Sequence, residues 1–348
     1  MNRTQIIEHF TEIGALFQQV ADSKTDPKPS VFSDAFLEKF RHTVEREIHY
    51  NGWFEVEFIQ KSLSGISTWL ESVSLSNWSA PYPFHGFQKN LGIIMAGNIP
   101  LVGFHDFLCG LVSGYRLQVK MSSEDSRLLT LVLEALCEMN AAYRELIVLN
   151  PLKLSGFDAV IGTGSDASLL HFKSYFKEIP HLLRGNRTSI AILTGEETAE
   201  ELTLLGKDVF DYFGRGCRNV THLLVPESYS FDSFFKAIQP FQKLFQNKKY
   251  GNNYDYYRTI YLMNRGVFLE NGFLLLVETE TLQPPLAVLN YHTYASEQEV
   301  QNYLEKHEEK IQCVVGKDYM PFGSAQTPSL TDYADNINTM MWLGEPKN

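Results

Sequence analysis

The sequence predicts an α/β protein: a helical N-terminal segment, a doubly wound parallel sheet, and a second α/β unit. Three observations carry that prediction. Apolar residues recur at helical spacing through the first 85 positions. From about residue 90, short apolar runs of strand length alternate with longer helical patterns. Small-residue turns follow several of those runs, as they do at the strand ends of doubly wound sheets. A chain of 348 residues is also long enough for two domains, each with its own core.

In chain order, Ile6, Ile7, Phe10, Ile13, Leu16 and Phe17 share one helical face. After the Thr25-Asp26-Pro27-Lys28-Pro29-Ser30 break, Phe36, Leu37, Phe40 and Val44 form another. Trp69, Leu70 and Trp78 follow, and the region closes at the Pro81–Pro83 turn. Leu91–Met95 then reads as a strand and Phe104–Val112 as a helix. Arg116–Lys120 is a second strand, Arg127–Asn140 a second helix, Ala159–Ile161 a third strand and Ala167–Phe176 its helix. Ser189–Leu193 is a fourth strand. The second unit has helices at Glu200–Phe213, Phe231–Phe245 and Glu297–Ile311, with strands at Leu223–Val225, Phe273–Val277 and Leu286–Asn290. The Lys248–Tyr257 run interleaves basic and aromatic residues. With two lysines and a nearby Asp255 it reads as a mobile surface loop. The expected domains are a helical segment over 1–85, a cofactor domain over 86–187, a catalytic domain over 188–318 and a C-terminal segment over 319–348.

Composition excludes several functions. The 41 acidic residues outnumber 30 basic ones, for a net charge of −11, which argues against a nucleic-acid partner. The four cysteines (Cys109, Cys137, Cys217, Cys313) are too scattered for a disulfide scaffold or a zinc cluster, so no metal is expected. The first ten residues mix charges with apolar groups and do not read as a secretory signal. Leu91–Tyr115 has few charges, but its asparagine, proline, histidine, aspartate and five glycines suit a buried strand, turn and helix better than a membrane span. The expected location is cytoplasmic.

Three features fall at predicted sheet edges. Ala96-Gly97-Asn98-Ile99-Pro100 follows the first strand; it suits a plain turn, and its Asn98 amide equally suits an oxyanion donor. Gly162-Thr163-Gly164-Ser165-Asp166 joins a strand to a helix, as a phosphate-approach turn or as an ordinary capped helix. Gly214-Arg215-Gly216-Cys217-Arg218 places a thiol after two glycines and between two arginines. Positive charge favours the nucleophilic thiolate, although most cysteines are inert core residues.

Together these features resemble the aldehyde dehydrogenase superfamily, and within it the acyl-CoA reductase branch related to the luminescence fatty-acid reductase (LuxC-like). The resemblance covers roughly residues 90–335. Asn98-Ile99-Pro100 is similar to the family's Asn-x-Pro oxyanion motif, and Val119-Lys120 to its strand-end lysine at the adenosine ribose. Thr163-Gly164-Ser165 is similar to its turn near the cofactor pyrophosphate, and Gly214-Arg215-Gly216-Cys217 to its nucleophile loop. Glu280 falls where the family's nicotinamide-ribose glutamate sits. The Pro321–Pro328 tail also resembles the reductase branch.

The resemblance implies an aldehyde-dehydrogenase-like fold, with Cys217 and Asn98 as catalytic residues. It implies cofactor contacts at Lys120, Ser122, Ser123, Thr163, Gly164, Ser165 and Glu280. Two departures refine it. Leu182 stands where aldehyde-oxidising members hold a general-base glutamate, which suits transfer from an acyl-CoA or acyl-carrier-protein thioester rather than hydrolysis. Ser123 stands where NAD-preferring members often have glutamate, which favours NADPH. The implied function is NADPH-dependent reduction of a fatty acyl-CoA to the aldehyde. The alternative is a cofactor-free cysteine acyltransferase or thioesterase that uses the same acyl-enzyme. His222, five residues past Cys217, is either a proton shuttle or a structural histidine. A homo-oligomer is compatible with the family, but the first 85 residues, which match it poorly, leave its usual contacts open.

Overall fold

The computed structural model describes residues 1–22, 30–151 and 155–346. The chain divides into two compact units, Met1–Gly185 with Ser329–Asn348, and Asn186–Pro328. The Thr25–Pro29 break lies outside the described residues.

In the first unit, helices α1 (Arg3–Ala21), α2 (Asp34–Arg46), α3 (Val56–Trp69) and α4 (Ser72–Ser79) precede a five-stranded parallel sheet. Its strands are β1 (Lys89–Ile94), β2 (Tyr115–Lys120), β3 (Ile147–Leu149), β4 (Ala159–Thr163) and β5 (His181–Arg184). Helices α5 (Phe104–Val112), α6 (Arg127–Met139), α7 (Tyr143–Leu146) and α8 (Asp166–Tyr175) connect them. The strand order is β3-β2-β1-β4-β5, so the connection reverses direction between β1 and β4. Such a reversal opens a crevice at the strands' C-terminal ends.

The helices of residues 1–85 share one core with this sheet. Phe10 of α1 meets Phe104 and Phe107 of α5 edge-on, at 6.1 and 6.4 Å between ring centres. Each such pair adds roughly 0.5–1.5 kcal/mol beyond plain burial. The stretch 319–348 is divided between the two units at Pro328/Ser329, and its last helix, α13 (Thr339–Gly344), belongs to the first. Met340 and Leu343 of α13 lie in the first unit's core, and the Leu343 carbonyl accepts the Tyr115 hydroxyl at 2.8 Å.

The second unit holds β6 (Thr188–Ile192), β7 (Val220–Pro226), β8 (Leu269–Glu270), β9 (Leu275–Glu278), β10 (Val288–Tyr294) and β11 (Ile311–Val315), in the order β11-β6-β7-β10-β9-β8. Only the β8–β9 pairing is antiparallel. Its helices are α9 (Ala199–Phe210), α10 (Asp232–Ala237), α11 (Lys248–Met263) and α12 (Glu297–His307).

Three expectations need correction. Lys248–Tyr257 is not a loop; it is the first part of α11. Asn247 caps that helix by accepting the Lys249 and Tyr250 N–H groups, and Tyr250 and Tyr254 bury one face four residues apart. Burial of two aromatics outweighs the poor helix propensity of Gly251 and two asparagines. The helix expected over Glu297–Ile311 ends at His307, and Ile311 begins β11. The one expected over Glu200–Phe213 ends at Phe210, for a reason set by the Cys217 loop. Leu91–Tyr115 folds as β1, a turn, α5 and the start of β2, and no helix among the described residues is long and apolar enough to cross a membrane.

Candidate functional site

The loop that carries Cys217 is built by a buckled helix end. Beyond Phe210 the backbone takes three successive left-handed residues, Tyr212 (φ 54°), Phe213 (φ 59°) and Gly214 (φ 74°). Left-handed conformations are uncommon outside glycine, so surrounding contacts must hold the first two. Fully buried Asn219 supplies them. Its Nδ2 donates to the carbonyls of Asp208 (3.0 Å) and Val209 (3.3 Å) in the last turn of α9 and of Asp211 (2.8 Å) just beyond it. Its Oδ1 accepts the Gly216 N–H at 2.7 Å. One side chain therefore fixes both ends of the turn leading to the half-buried Cys217.

Two further groups anchor this loop. The Ser189 hydroxyl on β6 donates to the Cys217 carbonyl at 3.1 Å and accepts the Cys313 N–H at 3.2 Å, with the Cys313 Sγ 3.0 Å away. The buried Asp208 carboxylate accepts the Gly323 N–H (2.6 Å) and the Ala325 N–H (3.0 Å), which ties the Pro321–Ala325 tail to α9.

Glu280 lies in the loop between β9 and β10, exposed, and pairs with Lys306 of α12 at 2.9 Å. Three successive carbonyls of this loop are held from inside the unit. Glu280 O accepts the Tyr303 hydroxyl (3.1 Å), Thr281 O accepts Asn290 Nδ2 (2.7 Å), and Leu282 O accepts the Thr221 hydroxyl (2.9 Å). His222 is fully buried, its Nδ1 donating to Thr281 O at 3.2 Å and its Nε2 lying 3.2 Å from the Tyr303 hydroxyl. Burial pushes its pKa down to about 4; the Thr281 hydrogen bond opposes this, and His292 and His307 lower it further. Both ring nitrogens are engaged, and through Thr281 O and the Tyr303 hydroxyl His222 supports the Glu280 loop.

In the first unit, the remaining candidates gather at the C-terminal ends of three adjacent strands. Asn98, half-buried, follows β1; Lys120 ends β2, with Ser122 and Ser123 just beyond; Thr163 ends β4, with Gly164 and Ser165 next. The β1–β4 side is the crevice where the strand order reverses. Lys120 is exposed, and among the described residues its ammonium has no carboxylate partner. The Ser165 hydroxyl accepts the Ser168 N–H at 3.3 Å and caps α8, so the capped-helix reading of that turn holds alongside its position at the crevice.

Leu182 is buried in β5, in the core of the first unit. Next to it, Arg184 forms a buried ion pair with Asp106 of α5 and donates to the Thr339 hydroxyl of α13 at 2.7 Å. Among the described residues, no group of three or more His, Cys, Asp or Glu side chains is placed to hold a metal ion.

Three supporting residues escaped the reading of the sequence: Asn219, Ser189 and Asp208. Asn219 belongs to none of the motifs read from the sequence. Its useful signal was its place two residues past the cysteine, at the mouth of an apolar strand. The other two act across long sequence separations and carried no local signal.

Neither a protein-family model nor a curated protein matches the chain. Solved structures do. A putative aldehyde dehydrogenase from Burkholderia cenocepacia aligns over 87% of this chain and 72% of its own, at 13% identity and a TM-score of 0.63. The HpcC protein of Thermus thermophilus aligns over 91% and 70%, at 12% identity and a TM-score of 0.63. An aldehyde dehydrogenase of Mycobacterium tuberculosis, solved with NAD+, aligns over 86% and 70%, at 16% identity and a TM-score of 0.56. The parallel first sheet, the second sheet and the helical N-terminus together give this chain the aldehyde dehydrogenase fold.

Proposed function

We propose that this protein is an NADPH-dependent reductase that converts a long-chain acyl thioester of CoA, or of acyl carrier protein, to the aldehyde. The observation that supports the direction of reaction is Leu182. Leu182 is an apolar side chain buried in the core, and by the family resemblance it falls where aldehyde-oxidising members hold a carboxylate, which would leave that position without a base to activate water.

The cofactor groups fit the residues present. An unpaired exposed ammonium, hydroxyls at adjacent strand ends and a helix N-terminus suit an anionic dinucleotide. Lys120, Ser122, Ser123, Thr163, Gly164 and Ser165 would hold its adenosine and phosphate portions, and Glu280 its nicotinamide ribose. Ser123 places no negative charge where a 2′-phosphate would meet it. When bound, NADPH supplies the hydride for reduction at the acyl carbon.

The chain's own residues do the rest. The Cys217 thiolate attacks the thioester carbonyl, and the oxyanion is stabilised by the Asn98 amide and the Cys217 N–H. The oxyanion collapses, the bond to the CoA sulfur breaks, and CoA leaves as a thiol after taking a proton. The acyl group is then held on Cys217 as a thioester. Once its carbon is reduced, the bond to Cys217 sulfur breaks, the aldehyde departs and the thiolate is restored.

Mixing the protein with NADPH and a long-chain acyl-CoA should give acyl-CoA-dependent loss of NADPH absorbance with aldehyde formed in equal amount. CoA release without NADPH consumption would instead assign an acyltransferase or thioesterase. Neither event would remove both readings.

A further inference from the structure

Asn98 is bracketed by the loop that follows the neighbouring strand. On one side, a Cβ at Gly97 would come within 2.5 Å of Ser122 Oγ and 3.2 Å of the Asp125 backbone nitrogen, so only glycine allows the two loops this close. On the other side, the Leu101 N–H donates to Asp125 Oδ2 at 2.6 Å. Leu101 has a left-handed backbone (φ 55°), which a leucine holds only when its surroundings enforce it. The Ser62 hydroxyl completes the clamp by donating to the Pro100 carbonyl at 2.7 Å.

Asp125 is itself buried, at 8% exposure, and its second oxygen, Oδ1, has no hydrogen-bond partner among the described residues. A buried carboxyl with one oxygen unsatisfied costs stability, so a purely structural solution would favour a neutral side chain here. We propose that Asp125 is a positioning residue, whose carboxyl holds the Asn98 turn through the Leu101 N–H and so sets the direction of the Asn98 amide. This rests on the oxyanion role assigned to Asn98 above.

Charges around Asp125 make the hold sensitive to pH. Burial raises its pKa most, the Leu101 N–H lowers it, and the Glu47 carboxylate raises it, for a value of about 7. Glu47 lies in the short turn after α2 and is paired with Arg127 of α6 at 2.6 Å; Arg127 also stacks on the Tyr50 ring. A carboxylate is a stronger acceptor than a neutral acid, so the grip on Leu101 is firmest above that pKa and weakens as pH falls through it.

Hydrogen exchange of the free full-length protein tests this without cofactor, substrate or turnover. Failure here therefore leaves acyl-CoA reduction standing, and failure of that activity leaves this result standing. In the wild type, protection of the amides of Asn98, Ile99, Leu101 and Val102, corrected for intrinsic exchange, should fall between about pH 8 and about pH 6. Asp125→Asn keeps an acceptor but cannot titrate, so its protection should be flat across that range. Asp125→Ala should lower protection by roughly tenfold or more at about pH 8, with β1 and β2 unchanged. An unchanged pH step in Asp125→Asn would overturn the proposal. Wild-type protection in a folded Asp125→Ala would do the same.

Discussion

Asn219 and Gly216 form the hydrogen bond on which the Cys217 loop turns: Asn219 Oδ1 accepts the Gly216 N–H at 2.7 Å, while its Nδ2 serves three carbonyls at the end of α9. An aliphatic replacement leaves these groups buried and unmatched. Asn219→Ala should therefore lower stability by about 3 kcal/mol, read from urea unfolding. At temperatures where the variant is still folded, acylation of Cys217 should slow by more than the unfolded fraction explains. Wild-type acylation rates in the folded variant would mean the loop keeps its shape without Asn219.

The two proposed catalytic groups should separate by kinetics. Cys217→Ala should abolish acyl adduct formation and NADPH oxidation together. Asn98→Ala should retain slow turnover with kcat down on the order of a hundredfold, the usual effect of losing one oxyanion donor. A loss under tenfold would remove Asn98 from that role.

Cofactor preference should turn on Ser123, an exposed residue just beyond β2. Ser123→Glu brings a carboxylate to the position proposed to face the 2′-phosphate. It should raise KM for NADPH roughly tenfold or more relative to NADH, consistent with like charges at short range. An unchanged ratio of the two KM values would place the 2′-phosphate elsewhere.

His222 predicts a pH dependence of stability. Its pKa is about 4 in the folded chain against 6.5 for an ordinary histidine. The unfolded chain thus binds this proton first as pH falls. The stability at stake is complete above about pH 6.5 and is lost progressively down to about pH 4, a decline of about 3 kcal/mol. His222→Gln should remove that part of the slope in urea unfolding series between those values. A wild-type slope in the variant would assign the loss to other groups.

The Arg184–Asp106 pair is buried at both ends, and among the described residues one Asp106 oxygen and Arg184 Nε lack partners. Arg184→Met should cost about 3–5 kcal/mol because it strands the Asp106 charge. The double variant with Asp106→Leu should be less destabilised than that single variant, since no unpaired charge remains. Thermal unfolding of the single and double variants decides between these outcomes.

Much of this protein was determined by local sequence alone. The alternation of apolar runs placed β1, α5, β2, α6 and β4 to within a few residues, because side-chain periodicity is a property of each segment's own backbone. Small residues after β1 and β4, and the lysine ending β2, marked the sheet edge that faces the crevice. Tertiary structure decided what depends on partners distant in the chain. Lys248–Tyr257 became helix because Tyr250 and Tyr254 found a core to fill, which their own propensities could not announce. Residues 1–85 became part of the first unit's core because Phe10 and Phe17 meet aromatics some ninety residues away. The supports of the Cys217 loop and the Asn98 turn, Ser189, Asp208 and Asp125, became visible only when buried hydrogen-bonding groups had to be matched in space. Sequence periodicity specifies which face is apolar, whereas the pairing of a buried polar atom is set by whichever element the fold brings beside it.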